Sequence, residues 1–228
     1  PSGWAFKAKE WQELHIETMH LKKVIRQENP DFALALNKVR AGHADGLSYI
    51  CTHASGTGDQ AVTLCGSNRA AQEINESEMR KLGEPVDVYN AEVLENDNNL
   101  DAEKEIRNVT EPHIRLCDGV RVIITVNDPT GMNLYHNGSM GVVVDHQEDS
   151  VLVFLDETQK VVRIRLFRYS IYDYKLAWDK DAGQNVLKKE VIFSFTQIPL
   201  RLGWAITIHK SQGQTYDHMI LDTDSLWR

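Results

Sequence analysis

The chain has little of what would tie it to a membrane, a disulfide framework or a metal. No apolar run approaches the roughly 18 residues needed to cross a bilayer. The opening residues PSGWAFKAKEW lack the charged-then-apolar order of a signal peptide. A membrane-free, intracellular protein is expected. Only three cysteines occur, Cys51, Cys65 and Cys117, an odd number with neither C-x-x-C nor histidine-partnered spacing. That argues against disulfides and zinc and leaves reduced, semi-buried thiols as the expectation. Excess basic charge is missing too: 25 Lys and Arg stand against 33 Asp and Glu, for a net charge of −8. A protein that held nucleic acid by bulk attraction would carry the opposite sign, so any such contact must be local. The phosphate-binding pattern G-x-x-x-x-G-K-[ST] is absent. Gly56, Gly58 and Ala61 formally spell G-x-G-x-x-A. They precede the expected strand, whereas a dinucleotide loop follows one.

What is present is a globular composition, with 42% hydrophobic residues over 228 positions, enough to bury a core. Near residue 30 the helix signals agree: Asn29 can cap, Pro30 suits the first helical position, and Phe32, Leu36 and Val39 recur at helical spacing before Gly42. The run Ala61–Cys65 reads as a buried strand feeding a second helix, with Ala71, Ile74 and Leu82 inward and Gly83 as its stop. Residues 93–112 are polar and acidic and read as a linker or surface excursion. From Val120 the pattern changes to short β-rich runs, VRVIITV, MGVVVDH, SVLVFLD, VVRIRLF and VIFSFTQI, separated by turn formers that include Asn137-Gly138 and Asp181-Ala-Gly183. This spacing implies a small barrel. Arg163 and Arg165 alternate with Val162, Ile164 and Leu166, so both should share one exposed face. After Pro199 a helix-compatible segment, Trp204 to Ser211, and a strand at His218–Leu221 restore α/β character, so the barrel reads as an insertion in an α/β domain.

The most informative stretch is 197–217, QIPLRLGWAITIHKSQGQTYD. Thr207, His209, Lys210, Ser211 and Gln212 crowd hydrogen-bond donors and a cation around one helix end, and Gly213 permits a sharp turn. Such a cluster suits the backbone phosphates of a nucleic acid, held without reading bases. From composition alone, a solvated polar helix end beside buried Trp204 and Ile208 is the commoner reading, since helix ends are routinely polar.

GWAITIHKSQGQTYD resembles motif V of the Pif/RecD-like helicases, and QIPLRL resembles the strand leading into it. WAFKAKEWQELHIETMHLKKVIRQENPDFALALNKVRAG is similar to the family segment through motif IV, with Ile25-Arg26-Gln27 where an aromatic-Arg-Gln is usual. LCGSNRAAQEINESEMRKL resembles the family's strand-to-helix "TN" segment, although Gly66-Ser67 replaces the usual small polar pair. DGVRVIITVNDPTGMNLYHNGSMGVVV resembles the start of the SH3-like barrel inserted in the second motor domain. The resemblance implies an α/β, RecA-like second motor domain interrupted by that barrel: residues 1–112 and 197–228 would form the discontinuous motor domain and 113–196 the insertion. Arg26 would act catalytically at the γ-phosphate of ATP, with Gln27, Gly213 and Gln214 near the nucleotide. Thr207, His209, Lys210 and Ser211 would contact single-stranded DNA. Asn68 would join them, although Ser67 or Asn68 could simply cap the following helix.

The function implied is that of part of an ATP-dependent, 5′-to-3′ DNA helicase, with the phosphate loop and magnesium-binding acid in the N-terminal RecA-like domain of a longer parent. The family's last arginine-bearing motif, expected soon after Asp222, is not present, so a truncated piece is expected. It would bind no ATP or Mg2+ alone and no structural metal. The alternatives are a non-motor interaction module built on a motor remnant and a nuclease-associated subunit of the RecD branch.

Overall fold

A computed structural model of the chain describes residues 4–14, 16–20, 27, 29–54, 61–96, 99–179, 183–214, 216 and 218–225. It divides into two compact units, Pro1–Gly56 and Thr57–Arg228.

The first unit holds a 3-10 turn at Ala5–Lys7 and helices α1 (Lys9–Glu13), α2 (Pro30–Arg40) and α3 (Ala44–His53). Asn29 caps α2 as expected, its Oδ1 accepting from the Asp31 and Phe32 amides at 3.0 and 3.1 Å. The inward face differs from the expected one. Ala35 is the buried residue of α2, while Leu36 and Val39 remain 44% and 40% exposed. The reason is a small-residue contact: α3 passes so close to α2 that a Cβ on Gly46 would lie 2.6 Å from the Ala35 carbonyl. That close approach centres the interface on Ala35 and leaves the larger side chains at its margin.

The second unit begins with β1 (Val62–Cys65) and α4 (Asn68–Leu82). Ser67 settles the capping question, since its Oγ accepts from the Ala70 amide at 3.2 Å, and Gly83 ends the helix at φ +68°. Strands β2 (Asp87–Asn90) and β3 (Glu92–Asn96), helix α5 (Ala102–Val109) and strand β4 (His113–Leu116) follow. The stretch read as a linker or surface excursion thus carries regular structure in β3 and α5. Asp101 caps α5, and Ile106 packs on Phe193 and Phe195. A single apolar anchor whose partners lie far along the chain leaves no local period to read.

Strands β5 (Arg121–Ile124), β6 (Met140–Gln147), β7 (Ser150–Leu155) and β8 (Val161–Arg165) arise where alternation predicted them. With β11 (Leu200–Leu202) they form an antiparallel sheet in the order β11-β5-β6-β7-β8. Its inward side chains, among them Val122, Ile124, Val153 and Ile164, build the largest core. Arg163 and Arg165 share the exposed face of β8, as expected. Strand β9 (Phe167–Asp179), which the reading did not anticipate, pairs with β10 (Gln184–Gln197) in a long hairpin, and β10 also pairs with β3. Asp181 and Ala182, read as turn formers, lie outside the described residues.

The expected helix-compatible segment after Trp204 splits into β12 (Ala205–Thr207) and a single turn, α6 (Ile208–Ser211). Ala205, Ile206 and Thr207 pair in parallel with Thr63, Leu64 and Cys65, and this burial in a sheet overrides the helical alternative. Strand β13 (Met219–Leu221) flanks β1 on the other side, giving a parallel sheet in the order β12-β1-β13, and a 3-10 turn at Thr223–Ser225 follows. Among the described residues, no helix is long and apolar enough to cross a membrane.

Candidate nucleic-acid groove

Strands β1 and β12 end level, Cys65 beside Thr207. The chain therefore leaves them side by side, at Gly66–Asn68 and at Ile208–Lys210. Beyond the carboxyl ends of parallel strands is where open α/β sheets place their ligands. An open groove of about 710 Å3 runs along this edge, and Asn68, Thr207 and Lys210 all line it.

A buried carboxamide sets the spacing of the two walls. Asn75 of α4 donates from Nδ2 to the Ala205 carbonyl at 2.8 Å and accepts the Ala205 amide at Oδ1 at 2.9 Å. Among the described residues β12 is the edge strand of its sheet, so Asn75 satisfies the outward-facing amide and carbonyl of Ala205 that no further strand meets.

The groove's charge is mixed. Lys210 Nζ lies 3.7 Å from Glu111 Oε1, and Arg115 lies 3.2 Å from Glu76. Arg107 is paired outside it, 2.6 Å from Glu103. Arg201 stands apart: it is half-buried on β11, lines the same groove, and has no side-chain hydrogen bond or ion pair among the described residues. Burial lowers its pKa from the ordinary arginine value, and the Glu111 carboxylate and the Tyr169 and Tyr216 phenols oppose that shift.

The other sequence-derived residues fall as follows. Asn68 is the exposed first residue of α4, free of the capping role that Ser67 takes. Thr207 is buried and its Oγ1 accepts from the Lys210 amide at 3.3 Å, so it holds α6 in place while lining the groove. His209 is exposed on α6. Ser211 is buried and donates its hydroxyl to the Ile208 carbonyl at 2.8 Å, a local use. Gly213 turns at φ +86°. Gln214 packs against Gly138, whose positive φ of +102° disfavours a side chain and whose Cβ direction the flexible Gln214 carboxamide fills. Gln27 belongs to the first unit, where its Oε1 accepts from the Asn29 amide at 3.2 Å. Arg26 lies outside the described residues.

Sequence reasoning missed Arg201 and Asn75. Arg201 offered only a polar position between Leu200 and Leu202, and Asn75 only a polar residue on the buried stripe of a helix.

No protein-family model matches the chain. It is 27% identical over 243 residues to the ATP-dependent DNA helicase Pif1 of Campylobacter jejuni, covering 99% of this chain and 52% of that protein. Unliganded Pif1 from Bacteroides sp superposes with a TM-score of 0.68 at 29% identity, over 87% of this chain and 44% of that one. Pif1 helicase from Bacteroides in complex with ADP-AlF3 and ssDNA superposes with a TM-score of 0.60 at 29% identity, over 88% and 44% of the two chains. The mixed α/β architecture thus matches solved Pif1 structures, and the chain spans about half the length of these relatives. In sequence and in structure, the homologues of this chain are Pif1 helicases, matched along part of their length.

Proposed function

We propose that the chain is the second motor half of an ATP-dependent DNA helicase that moves 5′ to 3′, contributing single-stranded DNA contacts and half of an ATP pocket. The parallel sheet β12-β1-β13 would be the RecA-like part and the sheet β11-β5-β6-β7-β8 the SH3-like insertion. The observation that carries the reading is the convergence of Asn68, Thr207 and Lys210 on one groove at the carboxyl ends of β1 and β12. Asn68, singled out from a distant segment, shares this surface with Thr207 and Lys210. Relatives with DNA in their solved structures, such as the Bacteroides Pif1 bound to ssDNA, support the choice of ligand.

ATP and Mg2+ would be held mainly by the parent's N-terminal RecA-like domain. In this chain Arg26, Gln27, Gly213 and Gln214 would face the nucleotide, and Arg26 would stabilise charge on the γ-phosphate. The sequence supplies no phosphate loop, so no hydrolytic step is assigned to the chain alone.

Titration of a labelled oligonucleotide tests the reading. Lys210→Ala should weaken binding to all single-stranded sequences alike and lower the salt slope by about 0.7, the value for one phosphate on a single strand. An unchanged binding curve would remove the groove from consideration.

A further inference from the structure

We propose that Arg201 is a second phosphate contact of this groove, and that the Glu111 carboxylate holds the phosphate position between Arg201 and Lys210 while no strand is bound. The inference rests on the nucleic-acid reading of the groove and adds to it a residue and a competing internal anion. A half-buried guanidinium without a partner is costly unless an anion is supplied, and its planar fork suits a phosphate in bidentate fashion. Among the described residues, the groups within electrostatic reach of Arg201 are Glu111, Tyr169 and Tyr216. Both phenols have pKa values raised by burial, so they stay neutral and leave Glu111 as the only anion of this set.

Glu111 is well held for such a role. Its peptide carbonyl accepts from Nε2 of Gln197, a fully buried side chain that also donates to the carbonyls of Tyr89 and Pro112. The carboxylate, by contrast, is 55% exposed and only loosely paired, its 3.7 Å from Lys210 being longer than a good charge-assisted hydrogen bond. A fixed backbone with a weakly held carboxylate allows the anion to swing away when a stronger one arrives. A phosphate that displaced it would meet Lys210 and Arg201 together.

The experiment measures anisotropy of a labelled oligothymidylate with the 228-residue chain at three salt concentrations. It compares wild type with Arg201→Gln, Glu111→Gln and Lys210→Ala, each checked by circular dichroism melting. Arg201→Gln should weaken binding on the order of tenfold, as loss of one charged hydrogen-bonding group does, and lower the salt slope by about 0.7. Glu111→Gln should tighten binding, a gain that misfolding cannot produce. If Lys210→Ala weakens binding while the Arg201 and Glu111 variants match wild type, the groove reading stands and this inference is overturned. If Glu111→Gln fails to tighten binding, the internal-anion role is wrong. Unchanged binding in all three variants would overturn the groove reading, and the inference with it.

Discussion

Asn75 offers the sharpest test of how the groove is held open. Its carboxamide makes two hydrogen bonds to the Ala205 peptide, at 2.8 and 2.9 Å, and the residue is 9% exposed. Truncation to alanine removes both bonds, each worth about 1 kcal/mol net, and strands an amide and a carbonyl on the outer edge of β12 at about 1–3 kcal/mol apiece when water cannot reach them. Ala205 borders the open groove, so water relieves part of that cost. A loss of about 2–4 kcal/mol follows, which in a unit of this size lowers Tm by roughly 5–15 °C at about 2–4 °C per kcal/mol. Asn75→Asp is the informative companion. It keeps an acceptor for the Ala205 amide but turns a carboxylate toward the Ala205 carbonyl, so near neutral pH it should be at least as damaging as alanine. It should recover on acidification, when a protonated acid can donate. Thermal melting followed by circular dichroism reads all three proteins. An Asn75→Ala transition coincident with wild type would refute the edge-completion argument, and an unperturbed Asn75→Asp would mean that the carboxamide is not donating to Ala205.

His146 predicts a pH dependence. Burial lowers its pKa, but hydrogen bonds to Asp118 and Asp87, both at 2.9 Å, outweigh that and leave it raised above the ordinary 6.5. The stabilisation is thus fully present below about pH 6.5 and is lost as pH rises through the elevated value. The stability gap between wild type and His146→Gln in urea unfolding should therefore shrink toward alkaline pH, and a gap that widens would contradict the pairing. His209→Ala should reduce oligonucleotide affinity with little change in salt slope, because the ring would contribute a hydrogen bond or base stacking and not a phosphate ion pair. The isolated chain should show no DNA-stimulated ATPase activity, and turnover by a contaminant-free sample would count against the division of labour proposed. An excised 113–196 segment should show weak amide protection in β5, because it lacks Leu200–Leu202, which pairs with Ile124, Ile123 and Val122. Extending it through Gly203 should restore that protection if the sheet is the unit.

Much of the local architecture was legible in the residues alone. The Asn29 cap with Pro30, the Ser67–Gly83 bounds of α4 and the alternation of β5 to β8 are consequences of short-range chemistry: a side-chain oxygen meeting nearby amides, a residue free to adopt positive φ, a period of two. The polar cluster at 207–214 was legible for a similar reason, since its residues are contiguous. Pairings between distant segments decided the rest. Whether 204–211 is helix or strand depended on β1 lying beside it, and whether 93–112 is linker or structure depended on Phe193 and Phe195. Sequence alone could name Lys210 because its neighbours advertise it. That Arg201 makes no ion pair among the described residues, that Glu111 reaches Lys210, and that Asn75 bonds the outer edge of β12 are properties of juxtaposition. A side chain's type dictates what it can bond to, whereas only the folded chain dictates which groups are within a few ångströms of it and which of them water still reaches.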